Sequence, residues 1–155
     1  MATENQCAFF KSLYDEESQR ANLLAEHAKN NLGLSTLYSA FMLFVLEKEK
    51  IFTSVSKGLF IAAVVSMLAA FLLSLWATQI AIYEGVTDPS DIFKEYGDEP
   101  PTDEDFFDDR IVDYSVAYDR NSIVNDKKAG QLLFARYFLL IGVALHASYF
   151  IVRLI

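Results

Sequence analysis

A single cysteine, Cys7, stands among 155 residues, so no intramolecular disulfide can form and no paired-cysteine zinc spacing exists. Glycine is scarce at six residues, and none of them builds a Gly-rich phosphate loop or a nucleophile elbow. The two histidines, His27 and His146, fall in a polar and an apolar stretch, with no spacing that would join them in one site. Acids are plentiful, yet no run matches the Asp-x-Asp-x-Asp-Gly pattern of a calcium loop, so they read as solvated charge. These absences leave little machinery for catalysis: no enzyme, no metal and no cofactor is expected. Proline is also rare, with three residues, and none interrupts Arg20–Lys50 or 102–129, which favours long unbroken helices.

What is abundant is apolar surface. The chain is 53% hydrophobic and carries a net charge of −8, two properties that coexist only if they are segregated along the sequence. Leu59–Tyr83 is a run of 25 residues without a charge, and 132–155 contains only Arg136 and Arg153. At about 1.5 Å per helical residue each covers the roughly 30 Å hydrocarbon core of a bilayer. Leu32–Leu46 is shorter, and its 15 uncharged residues reach only about 22 Å. It spans if Asn30 and Asn31 at one end and Glu47 to Lys50 at the other sit among headgroups. Residues 1–31 show no basic segment followed by an apolar core, so they are expected to remain in the mature protein.

The expected fold is therefore an all-α integral membrane protein with three transmembrane helices, two of them extended into a cytosolic helical bundle. The divisions are a cytosolic amphipathic helix over 1–31, spans over 32–46 and 59–83, an external loop over 47–58, an acidic cytosolic segment over 84–130 with a helix from about 103, and a last span over 131–155. Eight Lys and Arg residues fall on the side of the N-terminus and four on the other, which predicts a cytoplasmic N-terminus.

The acidity lies in one place. Residues 84–126 hold 14 acids against 3 bases, a net of −11, while the remainder sums to +3. Such a surface repels nucleic-acid polymers and anionic lipid. Within it Thr102 followed by Asp103, Glu104 and Asp105 reads as a helix start. Phe107, Ile111, Tyr114, Ala117, Tyr118, Asn121 and Val124 then recur at helical steps as an amphipathic face.

Several residues are candidates for function. Ala62, Ser66, Ala70, Ser74 and Thr78 recur every four residues, a small-residue series that either packs helices closely or lines a pore. Trp76 and Tyr83 are placed as interfacial anchors of that span, and Arg136 and Arg153 as residues that snorkel to headgroups. His146 is the one titratable group near the middle of a span, either a gating residue or an imidazole bonded to a neighbouring helix. Arg20, Lys29, Arg120 and Lys128 are cations close to the membrane, and with Asn121 they are the donors a phosphate-bearing ligand would have to use, unless the surrounding carboxylates pair them.

Tyr14, Glu17, Arg20, Leu24, Glu26, Ala28, Leu32 and Gly33 before the first span, with Ala117, Asn121, Asn125, Lys127, Lys128, Ala129, Leu132 and Ala135 before the last, form a layout that resembles the small membrane effectors of bacterial antiphage systems. The transmembrane Pycsar effectors and the SLATT-type proteins are the families concerned. The resemblance implies a protein of the bacterial inner membrane that meets a cyclic nucleotide during infection and disrupts membrane integrity; because three spans bury too little to enclose a pore, a permeation function predicts a homo-oligomer. The acidic stretch GDEPPTDEDFFDD has no counterpart in that pattern. It supports a different expectation, a non-conducting scaffold or subunit that presents an acidic loop to a basic protein partner.

Overall fold

The computed structural model describes residues 3–48, 54–79, 82–97 and 101–154. Among these the chain is all-helical: α1 is Glu4–Lys48, α2 Ser54–Ala77, α3 Pro89–Tyr96 and α4 Asp103–Leu154. Residues 49–53, and Asp98, Glu99 and Pro100 of the acidic stretch, lie outside the described residues.

Local chemistry explains the starts. At α1, Thr3 and Gln6 exchange bonds, the Thr3 amide donating to Gln6 Oε1 at 3.0 Å and the Gln6 amide to Thr3 Oγ1 at 3.4 Å. At α4 the Asp105 amide donates to Thr102 Oγ1 at 3.2 Å, and three acids occupy the first turn, where the helix dipole favours them. The helix expected from about residue 103 thus begins at Asp103. The short α3 has Pro89 in its first turn and stops at Gly97, whose φ of +66° suits a residue without a Cβ. Its cap is Asp88, held below the usual carboxylate range chiefly by its hydrogen bond with Ser90.

The chain divides into two compact units, and α1 and α4 contribute to both. Unit 2 comprises 24–79 and 128–155. On α2 the inward positions include Ser56, Phe60, Ala63, Met67, Ala70, Ser74 and Ala77, a repeat of four and three residues. On α1 the matching face is Ala28, Asn31, Ser35, Tyr38, Met42 and Val45, and on α4 Leu132, Ala135, Gly142, His146 and Tyr149 lie on it. An average step of 3.5 residues keeps one seam facing its neighbours, the arrangement of left-handed helical bundles. Ala28, Ala77 and Leu132 meet in one cluster, and Met42, Val45, Phe60, Ala63 and Tyr149 in another. Within this unit α2 therefore runs antiparallel to α1 and to α4.

Gly142 lets α2 and α4 approach. A Cβ there would lie 2.9 Å from Met67 Cε and 3.1 Å from its Cγ. Met67 can swing its terminal methyl away from alanine but not from a branched chain. Gly142→Val is expected to cost about 1–3 kcal/mol by overpacking, and Gly142→Ala clearly less, measured by thermal unfolding in detergent. Equal losses would place the strain elsewhere.

Unit 1 comprises 1–23 and 80–127. The Tyr14 and Tyr114 rings pack at 5.8 Å, and the Arg110 guanidinium lies 5.3 Å from the centre of the Tyr114 ring. On α4 the buried face here runs Arg110, Tyr114, Ala117, Asn121, Asn125. Its last step is four after four, a stutter that locally unwinds a seven-residue repeat.

Three expectations change. The span placed over 59–83 is a helix over Ser54–Ala77. It ends early because the Thr78 hydroxyl donates to the Leu75 carbonyl at 2.7 Å while the Thr78 amide is shared between the Ser74 and Leu75 carbonyls, a tightened last turn. Tyr83 is consequently not an anchor on that helix. The every-fourth-residue series is not one face either: each step of four overshoots a turn by about 40°, so Ala62 is exposed, Ser66, Ala70 and Ser74 are buried, and Thr78 is outside the helix. Of the face expected on α4, Tyr114, Ala117 and Asn121 are buried, but Phe107, Ile111, Tyr118 and Val124 are half-buried, and Arg110 and Asn125 complete the buried face instead. Among the described residues two helices, α2 and α4, are long and apolar enough to cross a membrane; α1, with its 32–46 run, is not among them.

Candidate functional site

Unit 1 is organised around two asparagines on α4. Asn121 grips the backbone of Glu84 in both directions: its Oδ1 accepts from the Glu84 amide at 2.9 Å, and its Nδ2 donates to the Glu84 carbonyl at 3.1 Å. One turn on, Asn125 accepts from the Tyr83 hydroxyl at 2.8 Å and donates to Glu17 of α1, at 2.9 Å to its carbonyl and 2.6 Å to Oε2. The segment from Ile82 to Asp88 is thereby held on α4 as a strap. Arg110 reinforces it through a bond to the Thr87 carbonyl, and Tyr96 donates to Asp109. The strap was not legible in the sequence, since residues 82–88 carry no periodic pattern; the asparagine pair was the available signal.

Two of the cations expected to meet a ligand, Arg20 and Arg120, are already paired. Arg20 donates to Asp126 at 2.6 Å and to Glu17 at 3.3 Å, and the bond to Asp126 is the main reason its guanidinium is held above its ordinary range. Arg120 pairs with Glu84 at 2.7 Å. Arg20, Arg120 and Asn121 belong to unit 1, whereas Lys29 and Lys128 belong to unit 2, Lys29 exposed and Lys128 half-buried. Each pair can exchange one anion for another: a phosphate at Arg120 would compete with Glu84, and one at Arg20 with Asp126.

In unit 2, His146 is buried in a cage of rings. Its Nδ1 lies 2.7 Å from the Tyr38 hydroxyl, and Tyr38, Phe41, Phe60, Tyr149 and Phe150 have centroids 4.8–6.1 Å from its own. Tyr38 was the missing partner of the imidazole. Ser66 donates across the bundle to the Phe138 carbonyl at 2.8 Å. Asn31 Nδ2, Ser35 Oγ, Ser74 Oγ and His146 Nε2 are buried without a hydrogen-bond partner among the described residues. The core of this unit thus sets polar and small side chains among its apolar and aromatic clusters, a feature that the apolar composition of the spans concealed. Among the described residues no group of three or more His, Cys, Asp or Glu side chains is arranged to hold a metal ion.

These features define an all-helical protein with helices fit to cross a bilayer and a separate polar unit built on paired charges. Comparison with protein-family models, with curated proteins and with solved structures gives no significant match to the chain.

Proposed function

We propose that this chain is a multi-pass effector of the bacterial inner membrane, with a cytoplasmic N-terminus and three spans, that answers a cyclic nucleotide and disrupts membrane integrity as a homo-oligomer in antiphage defence. The observation that carries the membrane part of this reading is an inverted distribution of polarity in unit 2. Asn31, Ser35, Ser74 and His146 are buried, while Leu37 is 71% exposed, Leu43 67%, Val65 60% and Leu140 63%. In water such a face is an aggregation hazard; in lipid it is the ordinary arrangement, with small and polar side chains between helices. The same inversion over 34–46 of α1 supports a third span there despite its short apolar run. The nucleotide part is supported by Arg120, paired with the Glu84 whose backbone Asn121 holds, and by Arg20, paired with Asp126, two cations whose carboxylate partners a phosphate can replace.

Dye and ion leakage from proteoliposomes tests the whole reading. Leakage is expected with one of a panel of cyclic mononucleotides and is expected to fall at least tenfold in Arg120→Gln. Vesicles that stay tight under every condition would contradict it. They would favour a scaffold, a reading for which Asp103, Asp105, Asp108 and Asp109 speak, exposed together over the first turns of α4.

A further inference from the structure

The outward face of α2 carries a ridge, Ile61 and Val65, 51% and 60% exposed. A groove of about 470 Å³ runs along one side of it, closed on its far flank by Met42, Leu43 and Leu46 of α1. A second of about 460 Å³ runs along the other side, flanked by Phe138, Ile141 and Leu145 of α4 and floored by Gly58, Ala62 and Ala69. Both begin at the same turn of α2, the first at Lys57 and the second at Gly58, and both include the ridge. They reach Met67 and Ala69, which is about 15 Å along the helix, half of a roughly 30 Å hydrocarbon core and so the depth of one leaflet.

We propose that this face binds one two-chain anionic phospholipid, with an acyl chain in each groove, the Ile61–Val65 ridge between them, and the headgroup phosphate at Lys57. Four features point to that occupant. The grooves are paired, nearly equal in volume and parallel to one helix, as the two chains of one lipid are. Their lining is apolar except at the mouth, where Lys57 supplies the charge, and in the interior, where Ser39 and Ser66 are the polar contributors. Ser66 is already bonded to Phe138. No acid stands in the first turn of α2 to repel a phosphate, and the backbone amides of that turn favour an anion. The binding gives a role to Ala62, which the bundle leaves exposed: a larger side chain there would fill the second groove.

The inference rests on unit 2 lying in the bilayer. It is tested by reconstituting the full chain in nanodiscs of equal parts phosphatidylglycerol and phosphatidylcholine, extracting into mild detergent, and weighing the retained lipid by native mass spectrometry. One diacyl lipid per chain is expected, with phosphatidylglycerol favoured about fivefold, the worth of one lysine at an anionic headgroup. Lys57→Gln is expected to keep the lipid and lose the preference. Val64→Trp and Ala62→Phe, both at exposed positions, are expected to lose the lipid while helical content is retained. Single-chain lysophosphatidylglycerol is expected to be retained at least tenfold less. A chain that enters the discs yet retains no lipid overturns the proposal, as does retention indifferent to the groove-filling variants, or one in which a second copy occupies the face. A chain that fails to enter the discs overturns the membrane reading together with it.

Discussion

Asn125→Leu is expected to destabilise unit 1 by about 2–4 kcal/mol, more than any other substitution of a neutral side chain there. The asparagine is fully buried and its side chain reaches both the strap and α1, through Tyr83 and Glu17. Glu17 is itself 9% exposed, and after the substitution its carboxylate keeps, among the described residues, Arg20 at 3.3 Å. A buried charge left short of donors costs more than the hydrogen bond was worth, because the water it gave up on folding is not returned. The measurement is denaturant unfolding in detergent, with hydrogen exchange over 82–88 as a local readout. Glu17→Met combined with Asn125→Leu is expected to recover at least half of the loss, since both polar partners are then gone. A single-variant loss under 0.5 kcal/mol, the scale of a neutral surface change, would mean that the strap is not held as described.

Leu68→Arg is expected to reduce membrane insertion about a hundredfold. Leu68 is 55% exposed near the middle of α2. On a water-facing helix an arginine at such a position changes stability by less than about 0.5 kcal/mol and improves solubility. At the centre of a lipid-facing helix the same residue costs about 3 kcal/mol, and each 1.4 kcal/mol is a factor of ten. The fraction of protein resisting alkaline extraction reads this directly. Ser12→Arg, at an exposed position of α1 in unit 1, is expected to have no effect. If both variants behave alike, the exposed leucines do not face lipid.

Much of the architecture follows from features the sequence displays openly. Thr102 with its three following acids announces α4, and the absence of proline from Arg20–Lys50 is consistent with the unbroken α1. The end of α2 was not legible, because uncharged residues continue to Tyr83 and it is the Thr78 hydroxyl, a local competitor for backbone carbonyls, that closes the helix. Register was read with a period of four, and the bundle uses 3.5; the error accumulates along the helix, which is why Ser66 to Ser74 are inside while Ala62 and Thr78 are not. The candidate site was half legible. Arg20, Arg120 and Asn121 were visible as donors near the membrane, but their partners Asp126 and Glu84 could not be assigned, since 14 acids between 84 and 126 were equally available by sequence. The Tyr38–His146 bond joins residues 108 apart, and periodicity within one helix carries no information about such pairs.

The central claim is that the leucine-rich face of unit 2 meets lipid. Single cysteines at Leu68 and Leu140 in a Cys7→Ser chain, treated with a membrane-impermeant maleimide in intact inside-out vesicles and again after solubilisation and unfolding, test it most directly. Both positions are exposed in the fold, at 55% and 63%. The account predicts at least a hundredfold slower labelling in vesicles than for a cysteine at Ser12, and equal labelling once unfolded. Labelling of Leu68 and Leu140 at the rate of Ser12 in intact vesicles would contradict it.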